Sequence, residues 1–407
     1  MADRPSARPR SRANAGRVAA ARVLLAVEEG QNADEALARL APHDPADRAL
    51  AWNVALGALR HRSALDAGIV AAAKRAVWTL DPPVLALLRG ALYELAFMRT
   101  PPHAAVDQAV EVARALDSAH AAGFVNAVLR RAEVPHEGSV ALGFPAWLVE
   151  RWEGRIGREA LIAYAAACAE PAPIHVVARE DAAGVAQAFH KAGVVVVPVA
   201  EGVFRLPARA GRVDALPGFA EGRWWVMDPA AVAVVDLVPD VPVVLDTCAA
   251  PGGKSLRLAA RGMRVQATDL EPGRLDRLQE NAARVGLAVD ARVHDWSVAP
   301  MPGQWPAVLV DAPCTALGLV RRHPELRWRR TEADVRAAHE RQKRILRNAA
   351  TVVAPGGCIV YAVCSPEPEE GVEVAATLGW RVEAIFQNEG NQEGADVFWG
   401  CRMRRPR

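Results

Sequence analysis

From Asp228 to the C-terminus, five apolar runs alternate with stretches of helical periodicity, and four of these runs end in an aspartate. The runs are Val241–Asp246, Arg264–Asp269, Val289–Asp295, Ala307–Asp311 and Cys358–Val363. Repeated strand–helix units imply a doubly wound sheet, in which the first, fourth and fifth strands are neighbours and ligands lie at the carboxyl ends. The intervening helices include Pro272–Val285, which Gly286 should stop. The first run continues as D-T-C-A-A-P-G-G-K-S, a Gly/Pro loop followed by a helix opening near Lys254 and Ser255. Such a turn directs backbone N–H groups toward a ligand, although G-G-K-S in isolation is equally a plain turn before a helix.

A single aspartate at a strand end is commonly a turn residue or helix cap. Four of them in one sheet should line one crevice. Asp269 lies twenty-three residues beyond Asp246, a spacing at which an acid can take both hydroxyls of a ribose. Asp295 would then meet the exocyclic amine of an adenine, and Asp311 the far edge, where a substrate base enters. Cys314, three residues past Asp311, and Cys364, closing the fifth run, follow adjacent strands and should share that cleft. A lone cysteine in an apolar stretch is ordinarily core, but these two stand beside prolines at the ligand end. Two thiols beside a nucleotide-like site suit alkylation of a pyrimidine at carbon 5. A thiolate added at carbon 6 makes carbon 5 nucleophilic toward an electrophilic methyl group, and a second thiol near the C5 proton helps the adduct collapse.

Between the cysteines, residues 321–347 hold ten Lys/Arg against four acids, the one marked charge asymmetry of a chain whose net charge is only +2. Arg321, Arg322, His323, Arg327, Arg329 and Arg330 are candidate phosphate contacts beside the cleft. Trp328 either stacks a base or packs half-buried. Arg336–Arg347 reads alternatively as a solvated helix face.

Upstream, residues 1–15 form an Arg/Pro/Ser-rich tail expected to be disordered. Residues 16–134 read as a helical bundle with thirteen basic and thirteen acidic residues. Pro82–Pro83 open an apolar helix at its centre, Pro101–Pro102 end that helix, and A-A-G-F-V-N-A-V-L-R-R supplies the last one. Pro135–Gly143 reads as a linker. A smaller α/β module over 145–227 has strands at Ile174–Val177, Val194–Val199 and Val203–Leu206 around a helix Ala183–Ala192. Trp147, Trp152, Trp224 and Trp225 are expected as core or interface anchors.

No apolar run reaches eighteen residues, which argues against a transmembrane helix. The early run Val18–Val27 is interrupted by Arg22 and followed by Glu28 and Glu29, unlike a signal peptide. Six cysteines without a C-x-x-C pair argue against zinc and against a disulfide framework. A cytoplasmic, metal-free monomer is expected.

Taken together, D-T-C-A-A-P-G-G-K, V-D-A-P-C-T-A-L-G, R-R-H-P-E-L-R-W and Y-A-V-C-S resemble, in the right order, the motifs of the RsmB/Sun-type RNA (cytosine-C5)-methyltransferases. D-R-A-L-A-W-N, L-Y-E-L-A-F-M-R-T-P-P-H-A-A-V and F-V-N-A-V-L-R-R resemble the NusB-like domain of the branch acting on bacterial 16S ribosomal RNA. The likeness covers nearly the whole chain. It implies a NusB-like RNA-binding bundle over 16–134, the connecting module over 145–227, and over 228–407 a Rossmann-like class I methyltransferase domain using S-adenosyl-L-methionine (AdoMet). By the same likeness Cys364 is the nucleophile and Cys314 assists product release. Cys248, Ala249, Ala250, Pro251, Gly252, Gly253, Lys254, Asp269, Asp295 and Asp311 would contact AdoMet, with Asp311 also serving the cytosine. Four segments depart from the family pattern: Val363 replaces a Thr, Glu369–Gly371 ends in Gly instead of Asn, Ile174–Val177 replaces L-R-V-N, and M-D-P-A-A-V replaces a segment carrying Ser and Gln. These departures fall where RNA would be steered.

Three rival readings remain open at this point. A P-loop NTPase needs Gly six residues before its Lys, where this chain has Cys248. A non-catalytic RNA-binding assembly factor would have no use for both cysteines. The same chemistry on another RNA, such as tRNA, is disfavoured by the NusB-like region.

Overall fold

The computed structural model describes residues 13–135, 143–208, 210–388 and 394–407. The tail over 1–15 and the linker over Pro135–Gly143 thus lie almost wholly outside the described residues. The chain divides into two compact units: the N-terminus to Ala169 together with His323–Arg329, and Glu170–Arg322 together with Arg330–Arg407.

The first unit is helical: α1 (Ala15–Glu28), α2 (Ala33–Leu40), α3 (Pro45–Arg60), α4 (Arg62–Ala73), α5 (Pro82–Phe97), α6 (Pro102–Ala115), α7 (Ala122–Leu129), α8 (Ala146–Ile156) and α9 (Arg158–Ala169). Proline at the first turn opens α3, α5 and α6, where its missing N–H costs no helical bond. Pro102 thus begins a helix, and α5 itself ends at Phe97. Helix α5 is buried without interruption from Ala86 through Glu94, so the two charges in that stretch need partners. Arg89 donates to Asp66 at 2.7 Å and Glu28 at 2.9 Å, and Glu94 accepts from Arg17 at 2.7 Å. Helices α8 and α9, which the sequence assigns to the connecting module, belong to this unit and pack Phe144, Trp152 and Tyr164 together.

The second unit begins with β1 (Ile174–Ala178), α10 (Ala182–Lys191), β2 (Val197–Ala200), β3 (Val203–Leu206) and β4 (Trp224–Val226). These strands form an antiparallel sheet in the order β2-β3-β1-β4. Trp224 and Trp225 are core residues, as is Trp152 in the first unit, whereas Trp147 is half-buried. There follow α11 (Pro229–Val235), β5 (Val243–Asp246), α12 (Gly253–Ala260), β6 (Arg264–Asp269), α13 (Pro272–Val285), β7 (Val289–Val293), β8 (Trp305–Asp311), the short α14 (Leu326–Arg329) of the first unit, α15 (Glu332–Thr351), β9 (Val353–Val363), α16 (Val372–Ala376), β10 (Arg381–Gln387) and β11 (Trp399–Arg404). The sheet order is β10-β11-β9-β8-β5-β6-β7, parallel from β9 to β7. As expected, β5, β8 and β9 are adjacent. The two antiparallel edge strands extend the five runs read from the sequence. Gly286 closes α13 in the left-handed conformation at φ 65°. Among the described residues, no helix is long and apolar enough to cross a membrane.

Candidate active site

The loop after β5 is pinned from three sides. The Thr247 N–H and hydroxyl both reach Leu309 O on β8, at 3.0 and 3.1 Å. The Ala249 N–H donates to Thr268 O at 2.9 Å, and the Ala250 N–H to Asp269 Oδ2 at 3.1 Å. Gly252 turns the chain into α12 at φ 110°, and a Cβ there would stand 2.8 Å from Leu278 Cγ. Only glycine satisfies both constraints.

Asp246, expected to line the crevice, is instead fully buried beneath this loop. Its Oδ2 accepts from Ser255 Oγ at 2.7 Å, while Oδ1 finds no donor among the described residues. Burial, partly offset by the Ser255 bond and reinforced by Asp311, pushes its carboxyl up to about 7. Between the ordinary carboxylate range and that value the folded chain holds a proton that the unfolded chain has released, so stability falls as pH rises through this window. Asp246→Asn, which cannot ionise, is expected to flatten the slope. Chemical denaturation between about pH 5 and pH 8 checks it, and an unchanged slope would contradict the assignment.

Asp269 accepts from the Ala250 and Glu271 N–H groups, both at 3.1 Å, which leaves a lone pair on each oxygen for vicinal hydroxyls. Asp295 is partly exposed and accepts from the Ser297 N–H at 2.8 Å and Oγ at 2.6 Å, and these bonds lower its carboxyl. The glycine turn, the first-turn amides of α12 and the two acids ending β6 and following β7 suit a nucleoside carrying an amino-acid tail. Cys248 packs against the apolar layer behind the loop, and burial pushes its thiol up.

Beyond the loop, Lys254 Nζ lies 2.6 Å from Asp311 Oδ2 and 5.1 Å from the Phe398 ring centroid. Burial alone would lower the ammonium, but attraction to Asp311, Cys364 and Asp246 raises it. Cys314 and Cys364 converge as expected, with their sulfurs 3.3 Å apart. The bond to Cys364, then burial, holds the Cys314 thiol well above its usual range, and either sulfur can donate to the other. The two loops are locked by Gly318, whose N–H donates to Cys364 O at 3.0 Å. A Cβ on Gly318 would lie 2.8 Å from that oxygen and closer still to Val397 O.

The first part of the basic segment, residues 321–330, does not face outward as expected. Arg327 is 1% exposed, stacks over Phe144 at 4.6 Å and donates to Gly143 O and Cys168 O at 3.1 and 3.3 Å. Its reading as a phosphate contact is therefore corrected: a buried guanidinium holding backbone carbonyls cannot also reach RNA. The indole of Trp328 donates to Leu59 O at 2.9 Å, and Arg329 to Gln31 O at 2.9 Å. His323 lies 3.5 Å from Asp34, Arg321 donates to Pro171 O at 3.4 Å, and Arg322 bonds Asp396 at 3.0 Å and Asp228 at 3.3 Å. Arg330 donates to Thr315 O at 2.9 Å, next to Cys314. The exposed cations of the stretch are Arg336, Arg341, Arg344 and Arg347 on α15.

The departures from the family pattern also turn inward. Val363 is fully buried on β9, and Val176 and Val177 are buried on β1. At Gly371 a Cβ would meet the Trp399 indole at 3.1 Å, so the ring fills the space that an Asn side chain would claim. Asp228, in M-D-P-A-A-V, caps α11 and receives Arg322.

Comparison with known proteins agrees with this geometry. The 16S rRNA methyltransferase RsmB/F family profile matches residues 234–394, and the NusB family profile matches residues 14–133. Ribosomal RNA small subunit methyltransferase B of Xanthomonas campestris pv. campestris is 34% identical, over 96% of this chain and 94% of that protein. The protein of the same name from Vibrio cholerae serotype O1 is 33% identical, over 88% of this chain and 87% of that protein. Among solved structures, the crystal structure of PH0851 superimposes with a TM-score of 0.81 at 22% identity, over 98% of this chain and 99% of that one.

Proposed function

The chain belongs to the 16S rRNA methyltransferase RsmB/F family and uses AdoMet, and from that premise we propose that it methylates carbon 5 of a cytosine through a covalent cysteine adduct. The observation that carries this reading is the pair of thiols 3.3 Å apart at the ends of adjacent parallel strands, beside the Lys254–Asp311 pair.

Cys364 is the nucleophile. Attraction to its sulfur helps raise the Lys254 ammonium, whereas the bond to Cys364 and burial push the Cys314 thiol up. The Cys364 sulfur bonds to carbon 6, and the electron pair of the C5–C6 double bond makes carbon 5 nucleophilic. AdoMet, when bound, supplies the electrophilic methyl group. The proton on carbon 5 then leaves, its bonding pair restores the double bond, and the Cys364 thiolate is expelled. Cys314 stands where it can relay that proton, taking it from carbon 5 as its own proton passes to the departing Cys364 sulfur. Lys254 and Asp311 together present a donor and an acceptor to the pyrimidine edge. Cytosine offers the matching acceptor at N3 and donor at N4. Asp269 and Asp295 would hold the ribose and adenine ends of the cofactor, and the loop Cys248–Lys254 would receive its tail.

The test is methyl transfer from labelled AdoMet to unmodified 16S rRNA, followed by nucleoside analysis. All label is expected in 5-methylcytidine. Label in another nucleoside would overturn the chemistry, and label accepted by tRNA but not by rRNA would overturn the substrate.

A further inference from the structure

Glu370, in the loop after β9, has no accessible surface and touches neither thiol, yet it binds both thiol loops. Its Oε1 accepts from the Thr315 N–H at 2.7 Å and from Gln342 Nε2 at 3.3 Å. Its Oε2 accepts from the Thr315 hydroxyl and the Ser365 hydroxyl, both at 2.5 Å. Thr315 follows Cys314 and Ser365 follows Cys364, so one carboxylate oxygen joins the residues next to both sulfurs across fifty positions of sequence. The backbone that carries the carboxylate is itself fixed: Tyr361 OH donates to Glu370 O at 2.6 Å, and the Glu370 N–H to Glu367 O at 3.0 Å. Gln342 also donates to Pro313 O at 3.1 Å, which ties α15 to the same knot.

A carboxylate suits this place because every group aimed at it is a donor. Two N–H groups and two hydroxyls converge, and four acceptor sites receive them without competition. An aspartate is one methylene shorter and cannot span both loops. A glutamine keeps the Oε1 side intact and turns an NH₂ toward the hydroxyls, which can accept.

We propose that Glu370 is the positioning residue of the two-thiol site, setting the Cys314–Cys364 separation through Thr315 and Ser365. This inference rests on the methyl-transfer reading above, and its test keeps the two separable. Three readouts are taken on the full chain: kcat and KM for methyl transfer to rRNA, AdoMet affinity, and affinity for phenylarsine oxide. The arsenical needs two thiols at fixed spacing and requires no methyl transfer. Its tight binding is expected in wild type and lost in Cys314→Ala.

In Glu370→Ala, kcat is expected to fall about 10²-fold, as for a reacting group displaced by about an ångström, while KM and AdoMet affinity stay within about threefold. Arsenical binding should weaken at least about tenfold, and Glu370→Gln should recover most of both losses. Wild-type kcat and arsenical affinity in Glu370→Ala would overturn the proposal, as would loss of AdoMet affinity in proportion to kcat in a folded variant. If Glu370→Ala does not fold, the Thr315→Val/Ser365→Ala double variant decides. It keeps the carboxylate and removes both hydroxyls, and wild-type arsenical affinity there overturns the proposal. If wild type transfers no methyl group to any RNA, the functional reading fails and the arsenical measurement still decides the positioning role.

Discussion

Cys364→Ala is expected to lower methyl transfer by about 10⁴–10⁶-fold, the range seen when a covalent nucleophile is removed from a site that otherwise still binds. Carbon 5 of cytosine is too weak a nucleophile to attack unaided, so without the sulfur at carbon 6 the loop, the acids and the Lys254–Asp311 pair hold reactants that do not react. Cys314 is only 3.3 Å away but is a poor substitute. Burial and the nearby Glu370 push its thiol up independently of the Cys364 bond. The Cys314→Ala/Cys364→Ala double variant should therefore be no slower than Cys364→Ala alone. AdoMet binding should survive, because no group assigned to the cofactor is changed. Residual turnover within about tenfold of wild type would exclude Cys364 as the nucleophile.

Cys314→Ala should separate methylation from release. The nucleophile, the base-recognising pair and the cofactor loop all remain, so a first methyl transfer is expected. Proton transfer by a positioned side chain contributes about 10²–10⁴-fold, and steady-state turnover should fall by that factor. The product should persist as a protein–RNA adduct through the Cys364 sulfur, visible as a retarded band on a denaturing gel and absent when Cys364 is also replaced. Normal turnover without an adduct would remove Cys314 from the reaction.

The catalytic half was legible because its periodicities are simple. Each buried parallel strand reads as an apolar run, and a polar residue ending such a run has one place to go. That is why Asp269, Asp311 and the two cysteines can be placed at the carboxyl edge of the parallel strands, with Asp295 just past β7, from their strand positions. Asp246 obeys the same pattern but points under the loop, since only the three-dimensional turn decides which strand-end acid is covered. The arginines from 321 to 330 misled for a related reason: charge in a sequence reports sign and density, not direction. Carbonyl oxygens of Gly143 and Cys168, more than 150 residues upstream, claim Arg327. The role of Glu370 is equally non-local, because its partners Thr315 and Gln342 are 55 and 28 positions away. The only hint was an acid in a short loop immediately after a buried strand and a cysteine.

The membership of His323–Arg329 in the helical unit bears on the order of events during synthesis. A chain emerging from the ribosome presents α1 to α9 first, then the 153 residues Glu170–Arg322, and only then the segment that the helical unit still needs. Until that segment arrives, Gly143 O and Cys168 O await the Arg327 guanidinium and Leu59 O awaits the Trp328 indole. Domains commonly fold from the N-terminus as they are made, and contacts distant in sequence form late. Here the N-terminal unit reaches its final packing only after β1 to β8 have been translated, although the second unit is completed later still, with Arg330–Arg407.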